Sequence, residues 1–165
     1  MITVNEAFEK FKSRLEPGQR EQDDAISRRE RVKAILDENF TLERVIITGS
    51  YARWTKIKPL RDVDLFCVLN KQAEGDYLKK SSRILLDEFA KSLTKEYGAQ
   101  NVKTYDKCVT VNFGEPTVED PDRVFSIDVV PAFEDGKAYT IPDAYHATGW
   151  MKTDPEAHKE LSTSA

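Results

Sequence analysis

The stretch ITGSYARWTKIKPLRDVDLFCVL, residues 47–69, decides how this chain is read. An apolar run ends in Gly49-Ser50, a cationic segment follows, and a second apolar run carries Asp62 and Asp64. The run ERVIITG over 43–49 is β-branched and ends on glycine, which predicts a strand, and DVDLFCVL over 62–69 predicts another. Side chains alternate faces along a strand, so Asp62 and Asp64 share one face while Val63 and Leu65 take the other. Two carboxylates side by side repel, and one takes up a proton unless a positive group lies between them. A hard divalent cation such as Mg²⁺ removes that penalty, because it takes carboxylate oxygens and keeps positions for water and phosphate. The alternative is a solvated pair at the start of the strand.

Gly49 and Ser50 tilt the balance toward a ligand. A strand that ends in Gly-Ser and turns offers backbone N–H groups and a hydroxyl to an anion, and glycine lets a phosphate approach closely. Eleven residues separate Ser50 from Asp62. A metal site needs a further ligand. Asp128 is the one acid embedded in the apolar run VFSIDVVPAF, against the alternative of a buried aspartate paired with lysine or capping a turn. Glu134 and Asp135 read as part of an exposed turn, EDGK.

The rest of the chain supplies a frame for these strands. Val4, Phe8, Phe11 and Leu15 predict a short amphipathic helix over 3–15, broken by PGQ at 17–19. A second helix runs to about Glu38 with Ile26, Val32, Ile35 and Leu36 as its stripe. Leu85, Phe89, Leu93 and Tyr97 stand four apart within 76–97, the strongest helical pattern in the chain, and Gly98 stops it. Strands follow at 107–113 and 123–133, with a turn at 134–136 into a short strand, KAYTIP, and a helix start at Asp154-Pro155. The fold class is α/β (α+β): a mixed sheet of four to five strands with flanking helices.

The chain has 165 residues, 39% hydrophobic and 33% charged, with a net charge of −4, which is one domain with a real core. That balance argues against a non-specific nucleic-acid coat, so nucleic acid is not a required partner. Cys67 and Cys108 lack metal spacing and read as reduced core residues of a cytoplasmic protein. No apolar run reaches the roughly 20 residues that cross a membrane, and the N-terminus lacks the apolar core of a signal peptide. His146 and His158 read as surface residues.

Three separated elements now agree in order, spacing and strand context: Gly49-Ser50, Asp62-Val63-Asp64 and Ile127-Asp128-Val129. Together they resemble the nucleotidyltransferase superfamily of DNA polymerase β. More narrowly, GSYARWTKI followed by DVDLF resembles the bacterial CD-NTases, relatives of cyclic GMP-AMP synthase and oligoadenylate synthetase, with Trp54 where that subfamily commonly has glycine. The segment IPDAYHATGWMKTDPEAH also looks like the stretch with which that subfamily leaves its catalytic core. The resemblance covers roughly residues 40–160; it implies a polymerase β-like core, two Mg²⁺ (or Mn²⁺) ions and nucleoside triphosphate substrates, with residues 1–165 expected to be that one catalytic core. It implies Gly49, Ser50 and Arg53 at the triphosphate, and Asp62, Asp64 and Asp128 as metal ligands, with Asp128 helping to deprotonate a ribose hydroxyl. The product would be a 2′- or 3′-linked cyclic oligonucleotide of the kind used in anti-phage signalling. In the family a helical domain follows and closes the nucleotide cleft; the chain is expected to stop short of it and to be weak or inactive alone. Two other readings stay open on the residues themselves. One is a minimal nucleotidyltransferase that modifies a protein, an antibiotic or an RNA end. The other is a nucleotide-binding module without catalysis.

Overall fold

The computed structural model of the protein describes residues 3–15, 19–48, 62–114, 117–119 and 126–154. Helices α1 (Val4–Leu15) and α2 (Gln19–Asp37) lead into strands β1 (Leu42–Thr48) and β2 (Asp62–Leu69). A four-residue helix α3 (Lys71–Glu74), a 3-10 turn (Gly75–Lys79) and helix α4 (Ser82–Tyr97) follow. Strands β3 (Val102–Thr104), β4 (Val109–Asn112), β5 (Ser126–Asp135), β6 (Ala138–Pro142) and β7 (Trp150–Thr153) complete the order.

These strands form one mixed sheet of seven, against the four or five expected. Strand order is β1-β2-β5-β4-β3, with β6 also on β5 and β7 on β6. Only β2 and β5 pair in parallel, in register from Asp62 opposite Ser126 to Leu69 opposite Phe133. On its other edge β5 changes partner: β4 covers Ser126 to Val129, and β6 covers Phe133 to Asp135. Pro131 falls in the gap between them, where a missing N–H costs a ladder least.

The two faces of the sheet differ. Val63, Leu65, Cys67, Leu69, Val109, Val111, Ile127, Val129 and Phe133 pack against α2 and α4 in the main core. Leu85, Phe89 and Leu93 lie four apart on α4 and are fully buried, and Phe89 meets Phe40 with ring centroids 4.4 Å apart. On α2, Val32 and Leu36 are buried as expected, but Ile26 is exposed and Ala25 takes the inward position. The opposite face carries a smaller cluster: Phe66, Val68, Ala132, Tyr139 and Ile141. Alternation along β2 and β5 therefore puts Asp62, Asp64 and Asp128 on the face turned away from the helices.

Several boundaries depart from the sequence reading. The long helix starts at Ser82, not near 76, because residues 75–79 wind as a 3-10 turn. Gly98, with φ of +80°, closes it through an N–H to the Thr94 carbonyl at 2.9 Å. Strand β5 runs on to Asp135, so Glu134 and Asp135 are strand residues, ion-paired to Arg44 and Lys152. The two-residue turn is Gly136-Lys137. Helix α1 forms as expected, yet Val4, Phe8 and Phe11 on its apolar stripe are exposed. The expected helix start at Asp154-Pro155 lies almost wholly outside the described residues. Just before it stands a strand, β7, held by Trp150 donating from Nε1 to the Lys80 carbonyl at 3.1 Å.

Phe89 joins α4 to the sheet, so Phe89→Ala leaves a cavity that its neighbours only partly fill. Urea denaturation should show a loss of about 3–5 kcal/mol, as for large-to-alanine changes in other cores.

Candidate active site

Strand pairing brings the three predicted aspartates together. Asp64 on β2 stands directly opposite Asp128 on β5, and Asp62 stands opposite Ser126. The antiparallel neighbours continue the row: Thr48 of β1 faces Asp64, and Thr110 of β4 faces Asp128. One line across four strands thus reads Thr48, Asp64, Asp128, Thr110. Asp62 is exposed, while Asp64 and Asp128 are half-buried.

Hydroxyls hold two of the carboxylates. Thr110 Oγ1 donates to Asp128 Oδ1 at 2.5 Å, and Ser126 Oγ donates to Asp62 Oδ1 at 2.7 Å. Cys108 Sγ lies 4.0 Å from Thr110 Oγ1. Since the Thr110 proton is committed to Asp128, the thiol is the donor in that contact.

The electrostatics follow from this crowding. Burial raises the Asp128 carboxyl above its ordinary value; the Thr110 hydrogen bond opposes the rise and the Asp62 charge adds to it. Burial also pushes the Cys108 thiol up to about 11, and the charges of Asp128 and Asp64 act in the same direction. Cys67, in the main core, is pushed up to about 12 by burial. The expectation that both cysteines are core residues holds for Cys67; Cys108 instead lies half-buried beside the acidic row.

All donors in this row are oxygens; two are carboxylates, and Asp62 on the same face is a third, the set that suits Mg²⁺ or Mn²⁺ and not a soft metal. By donor chemistry the residues fit such an ion. Among the described residues no group of three His, Cys, Asp or Glu side chains is disposed to hold a metal. Gly49, Ser50, Arg53 and the rest of the cationic segment, with Tyr51 and Trp54, lie outside the described residues. His146 is exposed, as expected, with Nδ1 2.9 Å from Thr148 Oγ1; His158 lies outside. Sequence reasoning missed Thr110 and Ser126. Their signal was polarity at site-facing positions: Thr110 between Val109 and Val111, and Ser126 two residues before Asp128.

Solved structures share this architecture. The CD-NTase CdnG of Bradyrhizobium diazoefficiens, solved with GTP, superposes with a TM-score of 0.65 at 14% identity, over 89% of this chain and 42% of that one. CdnC of E. coli MS115-1, solved with ATP, gives 0.60 at 21% identity, over 91% and 47%. The fold is thus the polymerase β-like nucleotidyltransferase core of the CD-NTases. The family defined as the Second Messenger Oligonucleotide or Dinucleotide Synthetase domain matches residues 1–165, and the chain belongs to it. A cyclic AMP-AMP-AMP synthase from an Acinetobacter strain is 26% identical over 97% of the chain. The chain spans 46% of that relative, about half its length. Among the described residues no helix is long and apolar enough to cross a membrane.

The raised proton affinity of Asp128 fixes a pH effect. Folding favours its protonated form, so the carboxylate opposes folding at neutral pH, and this cost fades as pH falls through the raised folded value toward the ordinary 3.8. In chelator, Asp128→Asn should melt above the parent at pH 7, with the gap closing toward pH 4. The same substitution removes a charge that raises the Cys108 thiol. Alkylation of Cys108 at pH 8 should therefore be faster in Asp128→Asn than in the parent, while Cys67 stays unreactive in both.

Proposed function

We propose that the protein is a metal-dependent nucleotidyltransferase that joins nucleoside triphosphates into a cyclic oligonucleotide signal, acting in bacterial anti-phage defence. The observation that carries this reading is the register of Asp64 with Asp128, one pleat from Asp62, on the open face of a domain of this family. The relatives solved with ATP and GTP support the choice of triphosphate substrates.

Asp62, Asp64 and Asp128 are the residues that would hold Mg²⁺ or Mn²⁺, in two ions. Bound there, the ions would neutralise charge on the triphosphate and make the attacking hydroxyl more acidic. Gly49 and Ser50 would bind the phosphates through backbone N–H groups and the serine hydroxyl, with Arg53 adding a cation. A ribose 2′- or 3′-hydroxyl oxygen forms the new bond to the α-phosphorus. The bond from that phosphorus to the bridging oxygen breaks, and pyrophosphate leaves with the electron pair. The hydroxyl proton passes to Asp128.

The test is incubation with Mg²⁺ and α-labelled nucleoside triphosphates, followed by phosphatase. A cyclic product has no terminal phosphate, so its label should resist removal. Asp62→Asn with Asp64→Asn should reduce product to background while leaving the circular dichroism spectrum unchanged. Label transferred to an added protein or RNA would favour the acceptor-modifying reading. Full product from the double variant would reject the site.

A further inference from the structure

Two buried hydroxyl side chains sit beside the predicted acids. Among the described residues the buried polar side chains are Ser82, Ser92, Thr110 and Ser126. Ser92 donates back to the Glu88 carbonyl one helical turn earlier, a local bond within α4. Thr110 and Ser126 behave differently. Each reaches across to a carboxylate on the neighbouring strand, and each stands directly opposite that carboxylate in the ladder.

From this pairing we infer that Thr110 and Ser126 are positioning residues for the metal carboxylates: each hydroxyl locks one oxygen of Asp128 or Asp62 so that the other is presented to a cation. The inference rests on the metal reading of the site given above. A hydroxyl has a single proton, and in both cases it goes to Oδ1. A carboxylate held through one oxygen cannot rotate freely about its terminal bond, so its second oxygen keeps a fixed direction. Among the described residues no other side-chain hydrogen bond engages the Asp62 or Asp128 carboxylate. Each hydroxyl is itself fixed, because Thr110 is 8% and Ser126 6% exposed and each stands on a paired strand. For Thr110 a further contact adds to this: the Cys108 thiol, 4.0 Å away, completes a chain from Cys108 through Thr110 to Asp128. A hydroxyl that donates to a carboxylate also partly offsets its charge. Hydrogen-bond partners behind metal ligands typically govern affinity by about 10–100-fold.

Calorimetric titration of the protein with Mn²⁺ tests this without any turnover. Thr110→Val keeps the shape of the side chain and removes the hydroxyl, and Ser126→Ala does the same for Asp62. Each should weaken Mn²⁺ binding by about 10–100-fold. Thr110→Ser and Ser126→Thr, which keep a hydroxyl, should bind close to the parent. A role in packing alone would lower the melting temperature in chelator and leave Mn²⁺ affinity unchanged; that result overturns the inference. Should Thr110→Val fail to fold, Ser126→Ala and Thr110→Ser still decide it. Failure of the parent itself to bind Mn²⁺ would instead reject the metal site on which the inference stands.

Discussion

The parallel pairing of β2 with β5 is the constraint on which the rest of this structure depends. Among the described residues it is the one parallel contact in an otherwise antiparallel sheet, and eight residue pairs fix its register. Parallel strands need a crossover between them, which here includes α4. The helix buries Leu85, Phe89 and Leu93 against one side of the pair and so leaves the acids to the other. A slip of one residue would send Asp62 and Asp64 into the main core and Val63 and Leu65 out of it. Uncompensated charges in a dry core cost far more than the hydrophobic contacts could return. The charged side chains thus enforce the same register that the apolar ones prefer.

Placing carboxylates there has an electrostatic cost, visible in the raised proton affinity of Asp128 and in the thiol of Cys108. Among the described residues part of it is relieved by hydroxyls, Thr110 on Asp128 and Ser126 on Asp62. Lysine or arginine at positions 110 or 126 would neutralise the acids more fully, but would also cancel the negative charge on which the proposed metal binding rests. Neutral donors steady the carboxylates and leave their charge available.

Much of this was legible in the sequence because it is local. The alternation in DVDLFCVL gives the shared face of Asp62 and Asp64 without any partner strand, and the four-residue spacing of Leu85, Phe89 and Leu93 gives the buried side of α4. Asp128 was legible because an acid in an apolar run is rare. Strand count was less legible: β3 and β7 have three and four residues, too short to show alternation. The start of α4 was missed because the 3-10 turn ahead of it carries Tyr77 and Leu78 at helix-like positions. The partners of the acids were beyond local reading altogether. Ser126 and Asp62 lie 64 residues apart, and only the fold makes them neighbours.

Pro131 divides β5 into two halves with separate histories open to them. On one side Ser126 to Val129 is stitched to β4 and carries the acidic row; on the other Phe133 to Asp135 is stitched to β6. No ladder on that edge runs through the proline. The β6–β7 hairpin can therefore change length, sequence or tilt with little leverage on Asp128, while the segment between β4 and β5 answers to a different set of neighbours. A single residue that breaks a hydrogen-bonding pattern thus gives the domain an insulated margin beside the acidic row.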